Sequence, residues 1–403
     1  MAQFFISTEM FAALTVLLMA AVVLFAFAVV RGLIGVDWPR LIRVLAAAAA
    51  VVVVGMGYAA WIALAGPEHI VGPAQTATAL AGLTTDPVGL IVPTILDHFT
   101  LGHAALGDTL VASRSANWTI GFDAPAENGS YVGIPLLLLL VGGVVALRRH
   151  RVVVVSAVLA VVGFVLSMGS HLHFDGHRTS IPLPYVVLDH LPLLKSGVPS
   201  RYVLFFWLFA ALIFAVSLGA IHAALARRGD TRSQVRALAG SGMVAVVALV
   251  WLAPAWPYAS APAAVPTWFT TSAGAGALPA GSTVVVYPFA SPTDASAMVW
   301  QAMADFRFRM PGGYAVFASP PSGAASFASD ASPLQGALAV CAAGQTASLP
   351  AADVTAQLRA WHARRVVVAA SAEGAGCATA MLQAALGAPA QTGGVLVWVP
   401  SGR

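Results

Sequence analysis

The side chains best suited to chemistry gather in His171-Leu-His173-Phe-Asp175-Gly-His177-Arg178, directly after a long apolar run. In an extended chain alternate residues share a face, so His171, His173 and Asp175 would present nitrogen and oxygen donors together, as ligands of a divalent metal do. The spacing matches no standard zinc signature and Gly176 interrupts a strand, so a solvated interfacial loop fits the same residues. Arg178, Lys195 and Arg201 flank a loop punctuated by Pro182, Pro184, Pro192 and Pro199. Guanidinium groups there suit bidentate contact with a phosphate; snorkelling to lipid headgroups is the plainer use of them. Three carboxylates are catalytic candidates. Glu9 stands near the end of the first apolar run, where an ionisable group is costly inside a bilayer unless hydrated at its surface. Asp97 and Asp108, with His98 and His103, could move protons, or simply be exposed on a loop. Gln301, Arg307, Arg309, Gly312, Gly313 and Tyr314 could line a cleft above strand ends, although a lone Gly-Gly forms neither GxGxxG nor a phosphate loop. No GxSxG, HExxH or Walker pattern occurs.

The elements that must position these groups are dictated by composition. Of 403 residues, 59% are hydrophobic and 9% charged, against about 25% charged in a soluble domain. That predicts an α-helical polytopic membrane protein. The formal charge of +4 does not point to nucleic acid, because the basic residues sit at helix ends and form no stripe. Apolar runs at 4–30, 42–66, 131–147, 152–168, 202–225 and 237–256 predict about six transmembrane helices, the third and fourth near the lower length limit. Arg31, Arg40 and Arg43, then Arg148, Arg149 and Arg151, then Arg227, Arg228, Arg232 and Arg236 make up half of the 20 Lys and Arg residues. Cationic connections stay cytoplasmic, so the amino terminus, the loops 67–130 and 169–201 and everything after Pro257 are expected outside. The piece 87–99 is too short and too interrupted to span, and reads as interfacial or re-entrant. Asn117–Tyr131 reads as irregular loop, with sequons at Asn117 and Asn128.

The membrane region is therefore read as 1–256, followed by a linker at 257–281 rich in Ala, Pro, Ser, Thr and Gly, and an extracytoplasmic α/β domain at 282–403. Strands are expected at 283–287, 365–370 and 394–399. Helices are expected from Asp294 to Ala304, over 353–362 and over 377–386, the last ended by Gly387. Cys341 and Cys377, the only cysteines, could pair there if their Cα atoms lie within about 7 Å.

Glu127–Gly133 in the pattern E-x-x-x-Y-x-G, a helix ending LSMGSHLHFDG, the segment LPYVVLDHLPLLKSGVPSRY before a spanning helix, and VVVYPF, QAMADFRFRMPGGY and GGVLVWVP in the tail together resemble the later part of bacterial membrane glycosyltransferases of the GT-C superfamily. The resemblance covers most of the chain from Glu127 onward. It implies transfer of a sugar from a polyprenyl-phosphate donor on the outer face of the plasma membrane, usually with a divalent metal. Arg201 and Arg178 would then hold the donor phosphate, with His171, His173 and Asp175 at the metal or acceptor. Gly197-Val-Pro199-Ser-Arg201 keeps only the second basic position of an R-x-P-x-R pattern. The resemblance also implies a catalytic acid in an amino-terminal segment that has no counterpart here. The chain thus reads as the carboxy-terminal part of a longer protein, inactive alone and completed by a partner that supplies helices. The alternative is a non-enzymatic membrane scaffold or envelope-assembly subunit, binding a partner through its outer domain.

Overall fold

Two aspartates start two of the long apolar helices. Asp37 accepts a hydrogen bond from the Arg40 amide (3.2 Å) ahead of the helix Trp38–Ala65, with Pro39 in its first turn. Asp230 accepts one from the Ser233 amide (3.3 Å) ahead of the helix Thr231–Leu249. Each side chain satisfies one of the amide groups that a helix start leaves without a partner. The computed structural model describes residues 8–32, 35–66, 69–72, 80, 82–94, 96–100, 127–191, 194, 197–226, 230–257, 264–291, 294–319, 321–326 and 332–400. The chain divides into two units at Tyr258/Ala259, with residues 120–122 assigned to the second.

The first unit contains α1 (Thr8–Val30), α2 (Trp38–Ala65), α3 (Ile134–Ala146), α4 (Arg151–Ser167), the strands β1 (His171–Phe174) and β2 (His177–Pro182), the single turn α5 (Tyr185–Leu188), α6 (Val203–Leu225) and α7 (Thr231–Leu249). Among the described residues four helices are long and apolar enough to cross a membrane: Met10–Val30, Trp38–Tyr58, Pro199–Leu225 and Thr231–Leu252. The third and fourth apolar runs do form helices, but α3 has 13 residues and α4 has 17, or about 20 and 26 Å against a hydrocarbon core of roughly 30 Å.

α6 is the packing centre, touching α3, α4 and α7. Close approach is bought with glycine. A Cβ on Gly163 of α4 would lie 3.1 Å from the Phe206 amide nitrogen, and one on Gly143 of α3 would collide with the Ser217 hydroxyl. Small residues at such crossings let helices meet without a hydrophobic driving force between them. α1 packs on α4 and the 185–205 region through Ala13 and Leu17, which are buried with Leu159, Leu166, Tyr185, Tyr202 and Phe205. Many large apolar side chains elsewhere on α1, α2, α6 and α7 are exposed, as lipid-facing helices require.

In the second unit the sheet order is β4 (Phe308–Arg309), β3 (Ser282–Tyr287), β7 (Ala363–Ala369), β9 (Val395–Trp398), β8 (Ala390–Thr392). β4, β3 and β7 are parallel, whereas β9 runs against β7 and β8 against β9. Strand alternation sends Val284, Val286, Val367, Ala369, Val395 and Val397 to one face, with Trp268, Phe269 and Trp300 of α8 (Ser296–Met303). Val285, Tyr287, Val366, Val368 and Trp398 go to the other face. There they meet α9 (Pro333–Ala342), α10 (Ala351–Ala360) and α11 (Ala375–Leu386). A separate hairpin pairs β5 (Phe317–Ser319) with β6 (Ala324–Ser326). Cys341 and Cys377 form a disulfide with Cα atoms 5.6 Å apart, inside the usual range. α9, β4, β8 and the β5–β6 hairpin carry too little periodicity to have been read from sequence.

Candidate functional site

The loop 82–100 does most to organise the polar end of the first unit. Thr85 donates its amide to the Ser167 carbonyl at the end of α4 (2.9 Å), Ser200 donates to Leu83 (3.0 Å), Val132 to Leu90 (2.9 Å) and His98 to Ala253 (2.8 Å). These bonds bring together the carboxyl ends of α4 and α7 and the segments leading into α3 and α6. The cationic connections lie at the opposite helix ends: Arg148 and Arg149 between α3 and α4, Arg232 and Arg236 in the first turns of α7.

Asp86, only 2% exposed, is the centre of the loop. One carboxylate oxygen accepts the Val88 amide (2.9 Å) and starts the 3-10 turn Pro87–Leu90; the other accepts the Gly176 amide (2.9 Å) at the tip of the β1–β2 hairpin. Thr84 meets the Nδ1 of buried His173 at 3.1 Å. The sequence reading passed over Asp86. An aspartate directly before a proline that opens a helical turn was the available signal.

Arg201 ends the 3-10 turn Pro199–Tyr202, from which α6 rises. Its guanidinium makes a two-pronged contact with Glu127, Nη2 to Oε1 at 3.1 Å and Nε to Oε2 at 3.5 Å. The side chains are 36% and 28% exposed, so the pair contributes about 1 kcal/mol or less to stability and mainly fixes the arginine's direction. Next to it Asn128 donates to the Gly82 carbonyl (2.9 Å). Asn128 Oδ1, Ser130 Oγ and Ser200 Oγ are buried with no hydrogen-bond partner among the described residues. All three belong to segments that pack against 82–89: Ser200 through its amide, Ser130 so near Gly89 that a Cβ there would come within 3.0 Å. Tyr185 donates to the Gly197 carbonyl (3.1 Å) and fastens the proline-rich loop from beneath.

Asp97 is half-buried and accepts from both the amide (2.8 Å) and the hydroxyl (3.1 Å) of Thr94. Burial raises its carboxyl above the ordinary value and outweighs these two bonds. Tyr131 is pushed up as well, first by burial and then by the charge of Asp97. The segment 127–131 therefore has the Arg201 ion pair at one end and the Asp97 environment at the other, no more than ~14 Å apart along the backbone.

The remaining sequence candidates fall as follows. His171 and Arg178 face each other across the hairpin, and because a guanidinium can only donate, the 2.9 Å contact uses the lone pair of His171 Nδ1. His177 Nδ1 is 2.7 Å from the Asp175 carbonyl, which fixes it as a donor. Asp175 is exposed at the hairpin tip with φ 51. His171 and His173 are thus directed to separate partners. No group of three His, Cys, Asp or Glu side chains that could hold a metal ion occurs among the described residues. Glu9 lies in the first turn of α1. Asp108, His103, Asn117 and Lys195 lie outside the described residues. In the second unit Gln301 donates to the Phe308 carbonyl (2.8 Å) and Arg307 to that of Leu278 (2.9 Å). These two bonds tie the start of β4 and the segment ahead of β3 to their neighbours. No family model, curated protein or solved structure matches the chain.

Proposed function

We propose that the polar end of the first unit is a lipid-phosphate sugar-transfer site of GT-C type, on the outer face of the plasma membrane. The observation that carries this reading is the presence, at one polar end of the first unit, of a partly exposed Arg201 oriented by Glu127 at the mouth of the 23-residue helix α6 and of a half-buried Asp97 whose charge acts on Tyr131. A lipid-linked phosphate arriving at the hydrocarbon boundary would meet the guanidinium, a planar fork whose geometry matches phosphate oxygens in pairs. In the transfer step the acceptor hydroxyl oxygen attacks the anomeric carbon as the bond from that carbon to the phosphate oxygen breaks. The polyprenyl phosphate leaves with the electron pair, and the hydroxyl proton passes to the Asp97 carboxylate. Burial suits Asp97 to take it, because a base works best when its proton affinity approaches the working pH. Arg178 would contribute to the phosphate from the hairpin only by releasing His171. No step is assigned to a metal.

The cationic ends of α3, α4 and α7 support a cytoplasmic side opposite to this site, since Lys and Arg are retained there. The Cys341–Cys377 disulfide supports an oxidising compartment for the second unit, because such bonds are rare in the cytosol. Six crossings would follow if the bilayer thins at α3 and α4. The test is sugar transfer from a radiolabelled polyprenyl-phosphate donor in membranes carrying wild type or Arg201→Ala. Loss of a charged phosphate contact should reduce transfer by roughly 10- to 100-fold. Equal transfer by the two proteins removes the phosphate assignment.

A further inference from the structure

The second unit holds a cleft of about 970 Å³ lined by residues of that unit alone. It opens at the end of the sheet where β3 and β7 begin and β9 finishes. Ser282 and Thr283 form one side, Thr355, Leu358 and Arg359 of α10 another, with His362–Arg365 and Val399–Pro400 completing it. Three arginines border it. Arg359 ends α10; Arg364 and Arg365 are consecutive on β7 and so project to opposite faces of the sheet at its margin. None of the lining residues is acidic, and none of these arginines makes an ion pair with a carboxylate among the described residues. Arg365 Nη1 donates only to the neighbouring Arg364 carbonyl (2.8 Å). The hydroxyls of Ser282 and Thr355 are already donated to their own backbones, to Pro279 (2.6 Å) and Ala351 (2.5 Å). Recognition therefore falls to the arginines, with His362 beside them and the exposed Val399 as an apolar contact.

Like charges held together cost free energy unless an anion screens them, and planar guanidinium forks match phosphate oxygens two at a time. The volume is that of a ligand pocket and far exceeds a single phosphate. We propose that this cleft binds a phosphate ester, with Arg359 and Arg364 as its principal contacts and the body of the ligand lying along Val399. The inference is independent of the sugar-transfer reading: it concerns other residues, and its readout is binding.

The test is equilibrium binding of labelled inorganic pyrophosphate to the full chain in phosphatidylcholine nanodiscs at low salt. Wild type should bind saturably. Arg359→Gln/Arg364→Gln, which changes two exposed side chains, should bind about tenfold more weakly or worse. Arg309→Gln, on β4 and outside the cleft, should bind like wild type, and all three should melt alike. Absence of saturable binding, or binding by the double variant within about twofold of wild type, overturns the proposal. A second arm adds phosphatidylglycerol to the discs. Weakened pyrophosphate binding there identifies a lipid headgroup as the source of the phosphate, and unchanged binding identifies a soluble phosphate ester.

Discussion

Replacing both Cys341 and Cys377 by alanine opens a link that spans 36 residues of sequence and joins α9 to the first turn of α11. In the chain-entropy account, closing a loop of that length removes about 13 cal/mol/K from the unfolded ensemble, or about 4 kcal/mol at room temperature. Cys341 is fully buried beside Leu338 and Tyr287 in the core on one face of the sheet, so losing its sulfur also costs packing. For a unit of this size the combined loss corresponds to a fall in melting temperature of about 10–15 °C. The assay is temperature-dependent proteolysis of the full chain in detergent, followed through fragments that carry a carboxy-terminal tag. Unreduced wild type should also resist thiol alkylation until denatured with reductant. A melting temperature within about 2 °C of wild type, or free thiols in unreduced protein, would refute the argument that this crosslink holds the second unit together.

Other substitutions test other parts of the structure. Burial keeps a proton on Asp97 to higher pH than in the unfolded chain, where the carboxyl titrates near 3.8. Below that value both states are protonated and nothing is lost; as pH rises through the folded-state value, the charge must be held in a half-dry site and stability falls. Asp97→Asn should therefore melt like wild type near pH 4 and above it near pH 7, with identical pH dependence of the two proteins counting against the burial argument. Gly374 has φ 67, and a Cβ there would collide with the Cys341 carbonyl and approach the Tyr287 hydroxyl to 2.7 Å. Gly374→Ala should lower the stability of the second unit by about 2 kcal/mol or more in denaturant titration, whereas Gly376→Ala, which meets nothing within 4 Å, should leave it nearly unchanged or raise it slightly.

Ser200→Ala removes a buried hydroxyl that lacks a partner. It should be neutral or slightly stabilising in thermal melts, and a loss above about 1 kcal/mol would mean that the hydroxyl is satisfied in the folded protein.

The long apolar helices were legible because a bilayer imposes a length and a near-absence of charge that one strand of sequence displays by itself. Two of their starts lie ahead of the apolar runs at 42 and 237, where Asp37 and Asp230 cap the helices through backbone bonds made within three residues. The strands at 283–287, 365–370 and 394–399 were equally legible, since Val-rich runs bounded by turns reflect a local pattern. What the linear order could not disclose were partners far apart in the chain. The sequence offered His171, His173 and Asp175 as one ligand set, but in the folded hairpin His173 meets Thr84, 89 residues away, and His171 meets Arg178, whose own register partner is His173. Glu127 reaches Arg201 across 74 residues, and Asp86 reaches Gly176 across 90. The cleft bounded by Arg359, Arg364 and Arg365 exists because β3 and β7 align in parallel. Hydrophobic length and local caps are written in consecutive residues and fix the elements, whereas the direction of a polar side chain is settled only when a distant segment supplies the group that satisfies it.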